Sequence, residues 1–181
     1  MSPVATIVQA ALLALVLTAA VYDFRFRRIP NWLAVTGFCA GLALNTVLGG
    51  WGGLGLSLAG FGAAFGIYFL LYMIHAMGAG DVKLMGAVGS LVGASNWMVL
   101  FASTAIVGGL AAIVLVIVKG RLRQTFWNIG FILSELLHFR APYMTKDELD
   151  VKSEKAVTLP HGVSIAMGTV VLLYLLWTPV L

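Results

Sequence analysis

Two carboxylates sit where long apolar runs end: Asp23 follows residues 4–22, and Asp81 follows residues 54–75. A carboxylate against hydrocarbon is costly enough to mark a functional position by default. If the helices that carry them pack together, two carboxyl groups within a few Å of each other share one proton, and their apparent pKa values separate. The ionised member can then take a proton from water while the protonated one polarises a peptide carbonyl, which is hydrolysis without a covalent intermediate. Each residue also has a purely structural account. Asp23 can pair at the interface with Arg25, Arg27 and Arg28, and Asp81 can complement the dipole of the helix it opens. No His–Cys or His–carboxylate spacing has the pattern of a metal site, and neither a metal nor a cofactor is expected.

The elements that must position these groups are read from hydropathy. Of 181 residues, 61% are hydrophobic and 10% charged, against about 25% charged in ordinary soluble domains. The chain is therefore expected to be an all-α polytopic membrane protein, one membrane-embedded domain over residues 1–181 with no second folded unit. A spanning helix needs about 20 mostly apolar residues, and residues 4–22, 32–49, 54–75 and 161–179 supply four. Residues 82–118 contain a polar break at Ser95 and Asn96, which divides them into two passes. The first of these, residues 82–94, is only about 20 Å long at ~1.5 Å per residue, so it is expected to be short, Gly-rich and buried among other helices. The first apolar run lacks a basic n-region and a small-residue cleavage site, so it reads as a retained anchor. Cys39 has no partner for a disulfide.

Charge sets the orientation. With six transmembrane helices and both termini outside, Arg25, Arg27 and Arg28 fall in the first inner loop, and Lys83 in the second. Lys119, Arg121, Arg123, Arg140, Lys146, Lys152 and Lys155 fall in a cytoplasmic loop of about residues 119–160. All 11 basic residues then lie on one face, as the positive-inside rule requires. The outer connections, at residues 49–53 and 95–97, carry no charge. Within the long loop, residues 126–139 read as an interfacial helix on the inner leaflet, and residues 145–155 as a solvated segment. Gly60, Gly62 and Gly66, with Gly86, Gly89 and Gly93, read as close-packing helix surfaces.

Around the carboxylates the sequence has further pattern. Gly78-Ala79-Gly80-Asp81-Val82-Lys83-Leu84 has the form G-x-G-D-x-K-L, Asp23 is followed by a basic cluster and then Ile29-Pro30-Asn31, and Leu159-Pro160-His161-Gly162 enters the last apolar run. Gly78 and Gly80 are expected either to adopt backbone angles closed to other residues and let a substrate strand approach Asp81, or to form a plain interhelical turn. Pro30-Asn31 should begin a helix, with Pro tolerated ahead of the first intrahelical hydrogen bonds. Asn31 fits a structural role as well as a catalytic one. Lys83 fits either an electrostatic hold on the Asp81 region or a contact with lipid phosphate. His75 and His161 are expected to make interfacial hydrogen bonds rather than to catalyse.

These motifs resemble those of the prepilin peptidases, membrane aspartic proteases related in motif to presenilin and the preflagellin peptidases. The first aspartate motif, the G-x-G-D motif and the Pro-x-Gly before the last helix all have counterparts, with His161 in place of the usual aromatic residue, so the resemblance covers nearly the whole chain. It implies that Asp23 and Asp81 are catalytic, supported by Gly78, Gly80, Lys83, Pro30 and Asn31. It also implies an endopeptidase that removes the basic leader from type IV prepilin-like substrates at the cytoplasmic face of the bacterial inner membrane. Larger family members carry a cytosolic insert with paired cysteines associated with N-methylation. Only 22 residues precede Asp23 and Cys39 is alone, so the chain resembles the short, peptidase-only branch serving Flp-type pili of the Tad system, without methyltransferase activity.

The partners expected are prepilins with a basic leader and a hydrophobic helix, and membrane lipid, with no nucleic acid. Asp147, Glu148, Asp150 and Glu154 are candidates for contact with the basic leader. A rival reading is a transporter or assembly subunit whose aspartates carry protons or hold helices together. Against it stand the position of both carboxylates near the inner surface and the lack of paired discontinuous helices.

Overall fold

The computed structural model describes residues 5–137 and 161–177. Among them are six helices and no strand: α1 (Thr6–Phe26), α2 (Asn31–Met73), α3 (Ala79–Val92), α4 (Ala94–Val118), α5 (Leu122–Leu137) and α6 (His161–Trp177). By length and composition α1, α2 and α4 are able to cross a membrane, and α6 is a shorter apolar helix.

The helix α2 is not one rod. Gly50 has φ 57° and ψ −144°, angles that a Cβ disfavours, and it interrupts the helix. In a straight helix Phe38 and Phe61 would lie roughly 35 Å apart, yet their ring centroids are 4.5 Å apart. The chain has therefore folded back on itself near Gly50, and residues 31–49 and 51–73 are two antiparallel limbs. This agrees with the turn expected at residues 49–53.

Both limbs grip α3. Asn45 Nδ2 donates to the backbone carbonyls of Ser90 at 2.9 Å and Leu91 at 3.1 Å, and Ser57 Oγ donates to the Ser90 carbonyl at 2.7 Å. A Cβ on Gly89 would collide with the Gly60 carbonyl, and one on Gly86 would come within 3.0 Å of the Phe61 ring. These glycines bring backbones together where packing, rather than water exclusion, holds helices. Residues 84–92 are buried without exception, so α3 is the short enclosed helix the sequence led us to expect. The other glycines differ. At Gly62 and Gly66 an added Cβ would meet nothing within 4 Å, and Gly93 is a turn residue with φ 72°. It is at Gly93, two residues before the polar pair Ser95–Asn96, that the chain reverses into α4, because a left-handed backbone angle makes the corner and polarity alone does not.

The helix α6 closes the bundle between α1 and α4, with Gly168 against Thr104 and Gly162 against Asp23. The helix α5 touches only α4 among the described elements and exposes Phe126 and Trp127, as an interfacial helix would. It begins at Leu122, earlier than the expected residue 126. Large apolar side chains cover the outside of the bundle, from Trp51 at 87% exposure to Val118 at 78%. The interior meanwhile holds Ser57, Ser90, Asn96, Thr104 and Thr169. Ser90 and Thr169 satisfy their hydroxyls on local carbonyls, those of Ala87 at 2.7 Å and Ile165 at 2.8 Å. An apolar exterior around a partly polar interior is that of an integral membrane protein.

Candidate active site

The antiparallel arrangement gathers the chemistry at one end of the bundle. Gly50 and Gly93 turn the chain at the far end, and the connections 27–30 and 74–78 lie at the near end. Asp23 belongs to the last turn of α1 and is 8% exposed, and Asp81 is part-buried. Its backbone carbonyl accepts the N–H of Arg27 at 2.9 Å, and Arg27 takes a left-handed cap with φ 52° that ends the helix. The Asp23 carboxylate reaches across the bundle. Its Oδ2 accepts the N–H of Gly162, in the first turn of α6, at 2.7 Å. Arg25 lies over the Phe26 ring, 5.9 Å from its centroid.

Asp81 stands in the first turn of α3, ahead of the buried segment. Its Oδ2 accepts the N–H of Gly78, the N-cap, at 3.2 Å, so it does serve its own helix as a first-turn acid. That occupies one oxygen and leaves the other for further chemistry. Asp81 lies close enough to Asp23 to feel its charge. Burial pushes the Asp81 carboxyl up, the charge of Asp23 pushes it further, and the Gly78 N–H pulls it back, leaving a pKa of about 6. A carboxyl so placed holds its proton more readily than a free aspartate.

Two more side chains close the ring. Tyr68, on the second limb of α2, is fully buried within electrostatic reach of Asp81. Its ring is 5.9 Å from that of His161, which lies within reach of Asp23, and 6.0 Å edge-on from Phe101. His161 thus belongs to the site region rather than to a remote interface. Nothing in the sequence singles out Tyr68. Its only signal there is a phenol inside an apolar run, a feature equally common at membrane interfaces.

The supporting residues fall around this centre. Pro30 is the N-cap of α2 and Asn31 its first residue, where a helix start was expected. Lys83 Nζ donates to Asn31 Oδ1 at 2.9 Å. Between an electrostatic hold on the site and a lipid contact, the structure thus gives Lys83 a bond that ties the start of α3 to the start of α2. Gly78 and Gly80 require a correction. Gly78 has φ −79° and ψ 151°, ordinary extended backbone, and Gly80 is helical. Neither uses a conformation reserved for glycine. What Gly80 supplies is space, since a Cβ there would lie 3.2 Å from Cβ of the buried Ile29. His75, with φ 58°, turns the chain out of α2. Among the described residues no three His, Cys, Asp or Glu side chains gather as metal ligands. Asp147, Glu148, Asp150 and Glu154 lie outside the described residues.

A membrane-embedded helical bundle that presents two aspartates from separate helices at one end defines the class of protein. The model of the type IV leader peptidase family matches residues 10–113, a stretch that includes both aspartates, Pro30, Asn31 and the Gly78–Lys83 motif. The chain belongs to that family. Comparison with curated proteins and with solved structures gives no match.

Proposed function

We propose that this chain is an aspartic endopeptidase that removes the basic leader from type IV prepilin-like substrates at the cytoplasmic face of the inner membrane. The observation that carries this reading is the approach of Asp23, from α1, to Asp81, from α3, close enough for one charge to act on the other. One carboxylate takes a proton from water as the water oxygen attacks the scissile carbonyl carbon. The other carboxyl gives its proton to the carbonyl oxygen. Collapse of the resulting gem-diol breaks the C–N bond and delivers a proton to the leaving amine.

The same end of the bundle carries Arg25, Arg27, Arg28 and Lys83. Because α4 runs antiparallel to α6, Lys119 and Arg121 also fall there. This one-sidedness supports a cytoplasmic location for the site, six passes and outer termini. The lone Cys39 favours a peptidase without methyltransferase activity, of the Flp-serving kind. The acidic residues 147, 148, 150 and 154 are the proposed contacts for the basic leader. The test is cleavage of a co-expressed prepilin by wild type, Asp23→Asn and Asp81→Asn. Each variant is expected to insert at wild-type level and lose cleavage by roughly 10²-fold or more. Near-normal cleavage in either removes that aspartate from the mechanism.

A further inference from the structure

The helix α6 lies outside the residues matched by the family, yet among the described residues it supplies the shorter of the hydrogen bonds to the two carboxylates. Gly162 N–H donates to Asp23 Oδ2 at 2.7 Å, across 139 positions of sequence, whereas the Asp81 contact to Gly78 is local and longer at 3.2 Å. The approach is so close that a Cβ on Gly162 would stand 3.0 Å from Asp23 Cβ and 3.1 Å from its Oδ2. Gly162 is buried, so water does not compete for that N–H. A short bond from a buried backbone amide fixes the orientation of the carboxylate that accepts it.

We propose that Gly162 is a positioning residue for Asp23: its N–H fixes one carboxylate oxygen and so holds the other toward the attacking water. This rests on the peptidase reading, and it assigns roles within it. Asp23 takes the proton from water and Asp81 gives one to the carbonyl oxygen. The titratable groups facing Asp23 are Asp81 from α3 and His161 from α6, with Tyr68 of α2 behind them, and Arg25 and Arg27 follow it on its own element.

Two substitutions separate the donor from the space. Gly162→Ala crowds Asp23 and keeps the N–H. Gly162→Pro crowds it similarly and removes the N–H, at a first-turn position where proline is tolerated. The readout is kcat and KM of prepilin cleavage, measured separately. The kcat is expected to fall about tenfold with KM little changed in Gly162→Pro, the size of one lost charge-assisted bond, and to stay near the wild-type value in Gly162→Ala. An unchanged kcat in an inserted Gly162→Pro protein, or equal losses in both variants, overturns the proposal.

A second measurement needs no proline variant. In 15N-glycine-labelled protein in detergent micelles, one amide proton, identified by its loss in Gly162→Ala, should lie far downfield at neutral pH. It should move upfield on acidification, and stop titrating in Asp23→Asn. A Gly162 amide indifferent to Asp23 overturns the contact even if cleavage still requires Asp23. Cleavage that survives Asp23→Asn, with the amide still titrating in wild type, instead removes the peptidase reading and leaves the contact standing.

Discussion

At the scale of residues, the two aspartates are chemically unlike because their surroundings are. Asp81 has a pKa raised to about 6 by burial first and by the charge of Asp23 second. As the proton donor it must be protonated, and raising the pH through that value removes the proton. Cleavage is therefore expected to fall on the alkaline side of about pH 6, approaching tenfold per unit well above it. A kcat/KM profile that rises through that range would exclude Asp81 as the acid. Gly80 matters through volume. With Ile29 already 3.2 Å from the site of its missing Cβ, Gly80→Ala displaces the loop by a few tenths of an ångström and lowers cleavage moderately. Gly80→Val adds two methyls and should nearly abolish it. Gly52→Val, where a Cβ meets nothing within 4 Å, serves as the control and should retain wild-type activity at wild-type membrane level. Full activity in Gly80→Val would mean that the Gly80–Ile29 contact does not hold Asp81 in place.

At the scale of elements, α3 is the part that cannot be altered cheaply. It is too short to span unaided and is enclosed by the two limbs of α2, joined to them by Asn45, Ser57 and the facing glycines Gly60 and Gly89. Its N-terminal end is held separately by the Lys83–Asn31 bond. Exposed bonds of that kind contribute little stability, about 0–1 kcal/mol, so its effect is on where Asp81 points rather than on whether the bundle forms. Gly89→Val meets the Gly60 carbonyl and the Ala64 side chain. Overpacking at such a contact costs about 1–3 kcal/mol, and here the obstacle is backbone that cannot swing aside. Immunoblots of membrane fractions should show markedly less Gly89→Val protein than wild type, whereas Gly62→Val, on open surface, should accumulate normally. Equal levels of the two would mean that the α2–α3 contact is not what stabilises the bundle.

At the scale of the whole molecule, one end carries the aspartates, the described basic residues and the start of α6, and the other carries the turns at Gly50 and Gly93. Positive charge at one end of a membrane bundle keeps that end in the cytoplasm. Reporters inserted at residues 49–53 and at the C-terminus are expected to be active outside, and one near Lys152 inside. A cytoplasmic C-terminus would remove the six-pass arrangement and, with it, the shared face proposed for leader cleavage.

Much of this molecule was legible in the sequence because lipid imposes so few solutions. Apolar runs of sufficient length become helices when no water can satisfy their backbone groups, and the Asp23 and Asp81 motifs stand out against 61% hydrophobic residues. The short enclosed α3 followed from counting residues between charges. What periodicity and motif did not contain were distances across the bundle. The corner fell at Gly93 because a left-handed angle, not polarity, turns the chain there. Gly80 proved to serve contact with Ile29 rather than an unusual backbone angle. Tyr68 joined the site only when α2 folded back, and Asp23 found its partner 139 residues away in the N–H of Gly162. A backbone amide carries no side-chain signature, so only the packing of α6 against α1 could decide which carboxylate it would hold.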